Sequence, residues 1–244
     1  MSYTMTHLMI TYQFMQNRTV ENKALFLVGG MSPDAVHSRE DFTFDLKGEA
    51  HQLQKEEKWG HTYTKEAMDI WYGRVRDFYR EKTALVKTAE ARSFLQGYTL
   101  HLLVDIFNCS LLYAPNLIRY EHKVEAMREQ YRKECILQDN YLYQSSPHTT
   151  EIISTLRETV QRGLTDDLLR EAGLDCYISK ADVAATLQYQ AEGYAKAERA
   201  DISGLTMISE NSTEYFLKTV ENECERLLFS FPEVYDTFTV GGKR

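Results

Sequence analysis

Four prolines and twelve glycines in 244 residues are too few for a sandwich or barrel, whose short strands need a turn about every ten residues. Cysteine is scarce and scattered. Cys109, Cys135, Cys176 and Cys224 form no CxxC pair, which excludes a cysteine zinc site and a dense disulfide framework and leaves buried free thiols as the expectation. Basic residues are in deficit, 28 against 36 acidic, for a net charge of −8. That excludes a general nucleic-acid binder with a basic face, but not a local pocket for one phosphate. The N-terminus shows no basic segment followed by an apolar one, and apolar runs such as residues 24–28 are far too short to span a bilayer. A cytoplasmic chain without a transmembrane segment is therefore expected. No repeat, low-complexity tract or Pro/Ser-rich linker divides the sequence, so residues 1–244 are expected to form one domain.

What is present is helical in pattern. Hydrophobic residues make up 43% and charged residues 26%, enough for a core and against disorder. From Thr64 onward, Ala67, Trp71, Val75, Phe78 and Tyr79 recur at three- and four-residue steps, the period of a half-buried helix. Further helices are expected over residues 90–107, 120–135, 149–162, 165–171, 180–200 and 211–229, with Thr165 a good N-terminus. Pro147 and Pro232 fall where no helix is expected. Residues 7–60 read as irregular apart from a short helix over 7–16, with a turn at Met31-Ser32-Pro33-Asp34, and irregular stretches of that length usually carry function. The fold class is all-α, a multi-helix bundle. The last helix pair reads as scaffold or as a homodimer surface.

A few polar residues sit in apolar surroundings. Phe94, Tyr98, His101 and Asp105 step by four, three and four, so they share one helix stripe. Burying His101 and Asp105 there is costly unless both are paired, and at one-turn spacing they converge better on a common cation than on each other. A histidine simply satisfied in the core is the ordinary alternative. Upstream lie Asp34 in the Ser32-Pro33-Asp34 turn, His51 in Lys47-Gly48-Glu49-Ala50-His51, and His7 before an apolar stretch. Singly these read as a turn residue, a surface histidine and a disordered terminus. Together, in the order His7, Asp34, His51, His101, Asp105, they form a candidate ligand set for zinc.

In that order the residues resemble the zinc-dependent phospholipase C family, which is related in fold to the single-strand-specific zinc nucleases. The resemblance rests on His7, on Ser32-Pro33-Asp34 where the family has an (A/S)PD turn, and on Lys47 and His51 where it has a K…H. It rests also on Gly97-Tyr98-Thr99-Leu100-His101-Leu102-Leu103-Val104-Asp105, where the family's helix reads GYxxHxxxD. These residues span the first half of the chain. The resemblance implies a helical bundle of the phospholipase C and zinc nuclease type. It implies one zinc held by Asp34, His51, His101 and Asp105, and a second served by His7 with Asp105 bridging. It gives Asp34 the role of orienting the attacking water and taking its proton. The implied activity is hydrolysis of a phosphate ester, whether a phospholipid head group, a nucleotide or a small phosphodiester.

The chain also departs from the family. Secreted members bind metal with a free N-terminal amine, whereas six residues precede His7 here. They also hold another zinc with later histidines and an HxxxE pair. After Asp105 this chain offers only His122 and His148, and His122-Lys123-Val124-Glu125 is one residue short of that spacing. It reads as the solvated face of a charged helix, so a trinuclear site is not expected. His37 and His61 are expected beside the site or on the surface, and Lys47 and Arg39 are candidates to neutralise a phosphate. Two readings from other classes stay open. One is a helical zinc protein with a structural or regulatory site and no turnover, marked by closed coordination. The other is a helical interaction protein without metal.

Overall fold

Short polar residues start most of the helices of this chain, seen in a computed structural model that describes residues 3–54, 64–208 and 216–220. In order come α1 (Thr4–Asn17), α2 (Lys23–Gly29), a 3-10 turn (Ser32–Ser38), α3 (Phe44–Ala50), α4 (Lys65–Leu85) and α5 (Ala89–Asn108). A π turn (Cys109–Tyr113), α6 (Ala114–Arg119), a 3-10 turn (Glu121–Lys123), α7 (Val124–Ser145), α8 (Thr149–Arg162), α9 (Asp166–Glu171) and α10 (Lys180–Lys196) follow. Asn22, Thr43, Thr64, Thr88, Thr165 and Ser179 each accept a hydrogen bond from the amide three residues on, which satisfies one donor that a helix start otherwise leaves open. There is no strand among the described residues, and the class is all-α.

Helix α5 is the axis on which the rest is hung. Nearly every residue from Ser93 to Asn108 is buried, on all faces. Helix α2 crosses it at backbone contact. A Cβ on Gly97 would lie 2.0 Å from the Phe26 carbonyl oxygen, and one on Gly29 would lie 2.2 Å from that of Phe94, so only glycine permits the crossing. Helix α4 covers another face of α5, α1 packs on α2 and α7, and α10 lies on the Ser32–Ser38 turn. One hydrophobic core runs through these contacts, from Met5 to Val220.

Several expectations change. Of the stretch 7–60 expected to be irregular, residues 7–54 are described, and α2, the Ser32–Ser38 turn and α3 order much of them. The segments are only seven residues long, too short to be stable alone, and they hold because α5 supplies their packing. The helix expected at 120 begins at Val124, because Tyr120 caps α6 and a 3-10 turn intervenes. It then runs on to Ser145. The helix expected over 180–200 ends at Lys196. Of the one expected over 211–229, residues 216–220 are helical and the remainder lies outside the described residues. Cys109 and Cys135 are buried but Cys176 is exposed, and Cys224 lies outside the described residues. One long apolar segment bears on the expectation about membrane spans without deciding it. Ala89–Arg119 is one continuous helix, long and apolar enough to cross a membrane by length and composition, with 78% of its most apolar window buried inside the protein. Its continuity survives Pro115 because the wider π turn falls where the proline ring would meet the carbonyl four residues back.

Candidate metal centre

Four elements each deliver one or two polar side chains to a single cluster at α5. His7 comes from the first turn of α1, Asp34 from the Ser32–Ser38 turn, His51 from the end of α3, and His101 and Asp105 from α5. His7, His51, His101 and Asp105 are 0–3% exposed, whereas the Asp34 side chain keeps 22%. The close approach of α2 and α5 at Gly97 sets the depth of the cluster, since it places the Gly30 carbonyl 2.9 Å from His101 Nδ1. At the end of α3, the Tyr98 hydroxyl donates to the Ala50 carbonyl at 2.8 Å and Trp71 Nε1–H to the His51 carbonyl at 2.7 Å. Gly97 and Tyr98, four and three residues before His101, are therefore the parts that seat the cluster.

The imidazole orientations carry the chemistry. His101 Nδ1 and His51 Nδ1 each face a carbonyl oxygen, of Gly30 and Lys47 respectively, at 2.9 Å. A carbonyl only accepts, so both nitrogens are the N–H and both Nε2 atoms present lone pairs. His101 Nε2 lies 3.7 Å from Asp105 Oδ2 and 4.0 Å from Asp34 Oδ2. His51 Nε2 lies 3.7 Å from Asp105 Oδ2 and 3.5 Å from Asp34 Oδ1. Lone pairs thus face carboxylate oxygens, an arrangement that repels unless a cation sits between them. His7 stacks flat on His101 with ring centroids 3.6 Å apart, and its Nε2 is 3.4 Å from Asp105 Oδ1. His7 has no hydrogen-bond partner on either ring nitrogen, and neither does His101 Nε2. The donor atoms fall into two overlapping groups, His7–His101–Asp105 and Asp34–His51–His101, each spanning at most 4.8 Å.

Ionisation follows from the same neighbours. Burial, helped by nearby His7, pushes His101 down to about 3, so its ring is neutral and a lone pair is available to a metal. Burial opposes ionisation of Asp34 and Asp105. For Asp34 the Lys47 ammonium outweighs it, and for Asp105 the neighbouring His7 does so, leaving both carboxyls well below the usual range. Two carboxylates and three imidazoles form the donor set that zinc prefers over magnesium or calcium.

The remaining candidates separate cleanly. His37, expected beside the site or on the surface, lies 3.8 Å from Asp34 and 2.8 Å from Lys47 Nζ. His122 is exposed and meets Glu121, while Glu125 pairs with Arg128, so no ligand group forms there. His148 stacks on Tyr12. Arg39 is tied to Asp41 and to the Cys176 and Tyr177 carbonyls and is not directed at the cluster. His61 and the N-terminal amine lie outside the described residues. A cleft of about 590 Å³ opens on the cluster, with Asp34, His37 and Lys47 at one side and Tyr189 and Gln190 of α10 at the other. The orienting carbonyls and the Lys47–His37 contact were not readable in the sequence, because a backbone acceptor has no residue signature. The glycine inside an otherwise apolar helix was the one available signal.

Comparison of the chain with protein-family models, with curated proteins and with solved structures finds no match.

Proposed function

We propose that this cluster holds zinc, one ion or two, and that the chain hydrolyses phosphate esters in the cleft above it. The supporting observation is the inward-facing Nε2 of His101, whose lone pair meets carboxylate oxygens at 3.7 and 4.0 Å. When bound, zinc polarises a phosphoryl oxygen and makes water acidic enough to serve as a nucleophile near neutral pH. The chain's residues supply the remainder. His51 and His101 hold the ion with their rings fixed by carbonyls, an arrangement that raises ligand basicity. Asp34 alone among the five reaches the cleft, and its carboxylate orients the attacking water and takes the proton. The inner group, His7–His101–Asp105, is closed off from solvent, and this favours a second reading in which an ion there is structural, since a catalytic zinc keeps an open position. A small ester or a lipid head group in the cleft fits the net charge of −8 better than a polynucleotide does.

Metal analysis of the purified chain is the first test, with His101→Ala expected to lose most of its zinc. The second is Asp34→Asn against the parent at matched zinc content. Hydrolysis of p-nitrophenyl phosphate or bis-p-nitrophenyl phosphate, whichever the parent turns over, should fall about 100-fold or more, the usual cost of removing a general base. Equal rates would leave only the structural reading.

A further inference from the structure

Lys47 is buried at the floor of the cleft, in contact with Asp34 and His37. Its Nζ lies 3.3 Å from Asp34 Oδ1, the same oxygen that His51 Nε2 approaches to 3.5 Å. The ammonium is held there, because it donates to His37 Nε2 at 2.8 Å and His37 in turn packs against the Phe42 ring. Without a metal, Lys47 is a counter-charge to Asp34. Once Asp34 ligates a divalent cation, the same ammonium stands beside a centre of its own sign, and that is favourable only with an anion lying against both.

The charges around the cleft fix how much anion is needed. Among the described residues lining it, only Asp34 and Lys47 carry a formal charge, so none of these forms an acidic wall that would oppose an anion or receive a cationic head group. Asp34 and Asp105 against Lys47 leave one negative charge, and two divalent ions would reverse this to three positive. A phosphate monoester, doubly ionised above its second pKa of about 6, together with one hydroxide equivalent, neutralises that. A diester leaves a positive charge unmatched in a largely buried site.

We infer that the cleft selects a terminal, doubly charged phosphate group over a diester, and that Lys47 is the specificity-determining residue that contacts its oxygens while His37 holds the Lys47 ammonium in place. The inference rests on the two-ion form of the metal reading above, and it narrows the substrate class to phosphate monoesters.

The test is binding rather than turnover. Methyl phosphate and dimethyl phosphate are titrated by calorimetry into the zinc-loaded chain at pH 8, where the first is a dianion and the second a monoanion. The wild type should bind methyl phosphate about ten-fold or more tighter, the scale of one added charge-assisted hydrogen bond. Lys47→Met should bring the ratio to within about two-fold at unchanged zinc content, with Lys47→Gln as the alternative neutral variant and Lys47→Arg expected to keep the preference. A wild-type ratio near one, or a preference that survives in the neutral variants, overturns the inference whatever the variants' stability. Zinc content separates the two readings. A chain that holds no zinc but still prefers methyl phosphate through Lys47 refutes the metal centre and leaves the anion site standing. A zinc-loaded chain without the preference does the reverse.

Discussion

Glu134 on α7 and Asp105 on α5 are both buried acids, 0% and 3% exposed, yet their surroundings are of opposite kinds. Glu134 accepts hydrogen bonds from the backbone amides of Thr206, Met207 and Ile208, the Thr206 hydroxyl and Gln130. Every one of those partners is a donor, so the carboxylate is complete and pins residues 206–208 to α7. Asp105 lies among His7, His51 and His101, and two of those rings turn lone pairs toward it. A buried acid ringed by peptide N–H groups is a joint. One ringed by imidazole lone pairs is half of a site.

Metal removal tests this difference most strongly. A chelator should lower the melting temperature of the zinc-loaded chain by about 10 °C, the effect of roughly 4 kcal/mol of linked binding on a protein this size. Glu134→Gln should melt lower than the parent, yet lose the same increment on chelation and carry the same zinc. If Glu134→Gln loses its zinc, or chelation leaves the parent unmoved, the two regions are not distinct in the way described.

The crossing of α2 and α5 comes next. Gly97→Ala forces a methyl against the Phe26 carbonyl, where 2.0 Å is available. Because the obstacle is backbone rather than a flexible side chain, the helices must part, at a cost of about 3 kcal/mol or more. The Gly30 carbonyl would move away from His101, so zinc retention should fall with stability. Denaturant unfolding and zinc analysis of the same sample check both. Full zinc with lowered stability would show that the crossing is structural only.

These residues also show what the sequence could disclose. Thr64 and Thr165 were legible as helix starts because a cap has a residue signature, and the bounds of α8 follow from its strong periodicity. The short α2 and α3 were not, since their stability comes from contact with α5 and not from propensity. Helix α7 was expected to end at 135, though it runs to Ser145. The five polar residues were legible by type and order alone. That they meet depends on long-range packing, and their order in the chain says nothing of distances such as that between His7 and Asp105.

Asp139 supplies a third buried acid and a pH test of the comparison. It accepts from the Thr6 amide and the Tyr194 hydroxyl, standing in for the side-chain cap that Tyr3 does not give α1. Burial dominates over those donors and raises it from 3.8 to about 6. Its contribution to stability is therefore full below about pH 4 and is lost as pH rises through 6, an effect of about 3 kcal/mol. Glu134 has the opposite sign. Burial opposes its ionisation, Gln130 and the three amides outweigh it, and the carboxyl is lowered, so its contribution is present above its ordinary value and is lost as pH falls. Unfolding of the metal-free chain from pH 4 to 7 should show the loss with rising pH smaller in Asp139→Asn and larger in Glu134→Gln. The same slope in all three would remove the distinction.

The smallest expected effect is at Tyr98. Its ring is fully buried and its hydroxyl donates to the Ala50 carbonyl, one of the acceptors that the end of α3 leaves open. Tyr98→Phe keeps the ring and removes the donor, which should cost about 1 kcal/mol. His51 would remain attached through its own Nδ1–H to the Lys47 carbonyl and through Trp71, so its Nε2 should stay near Asp34. Zinc affinity, measured by competition with a chelating dye, should therefore weaken only a few-fold, less than the roughly 10–100-fold that follows loss of a partner bonded directly to a ligand. A hundred-fold loss in Tyr98→Phe would make this hydroxyl, and not the two carbonyls, the group that aims His51.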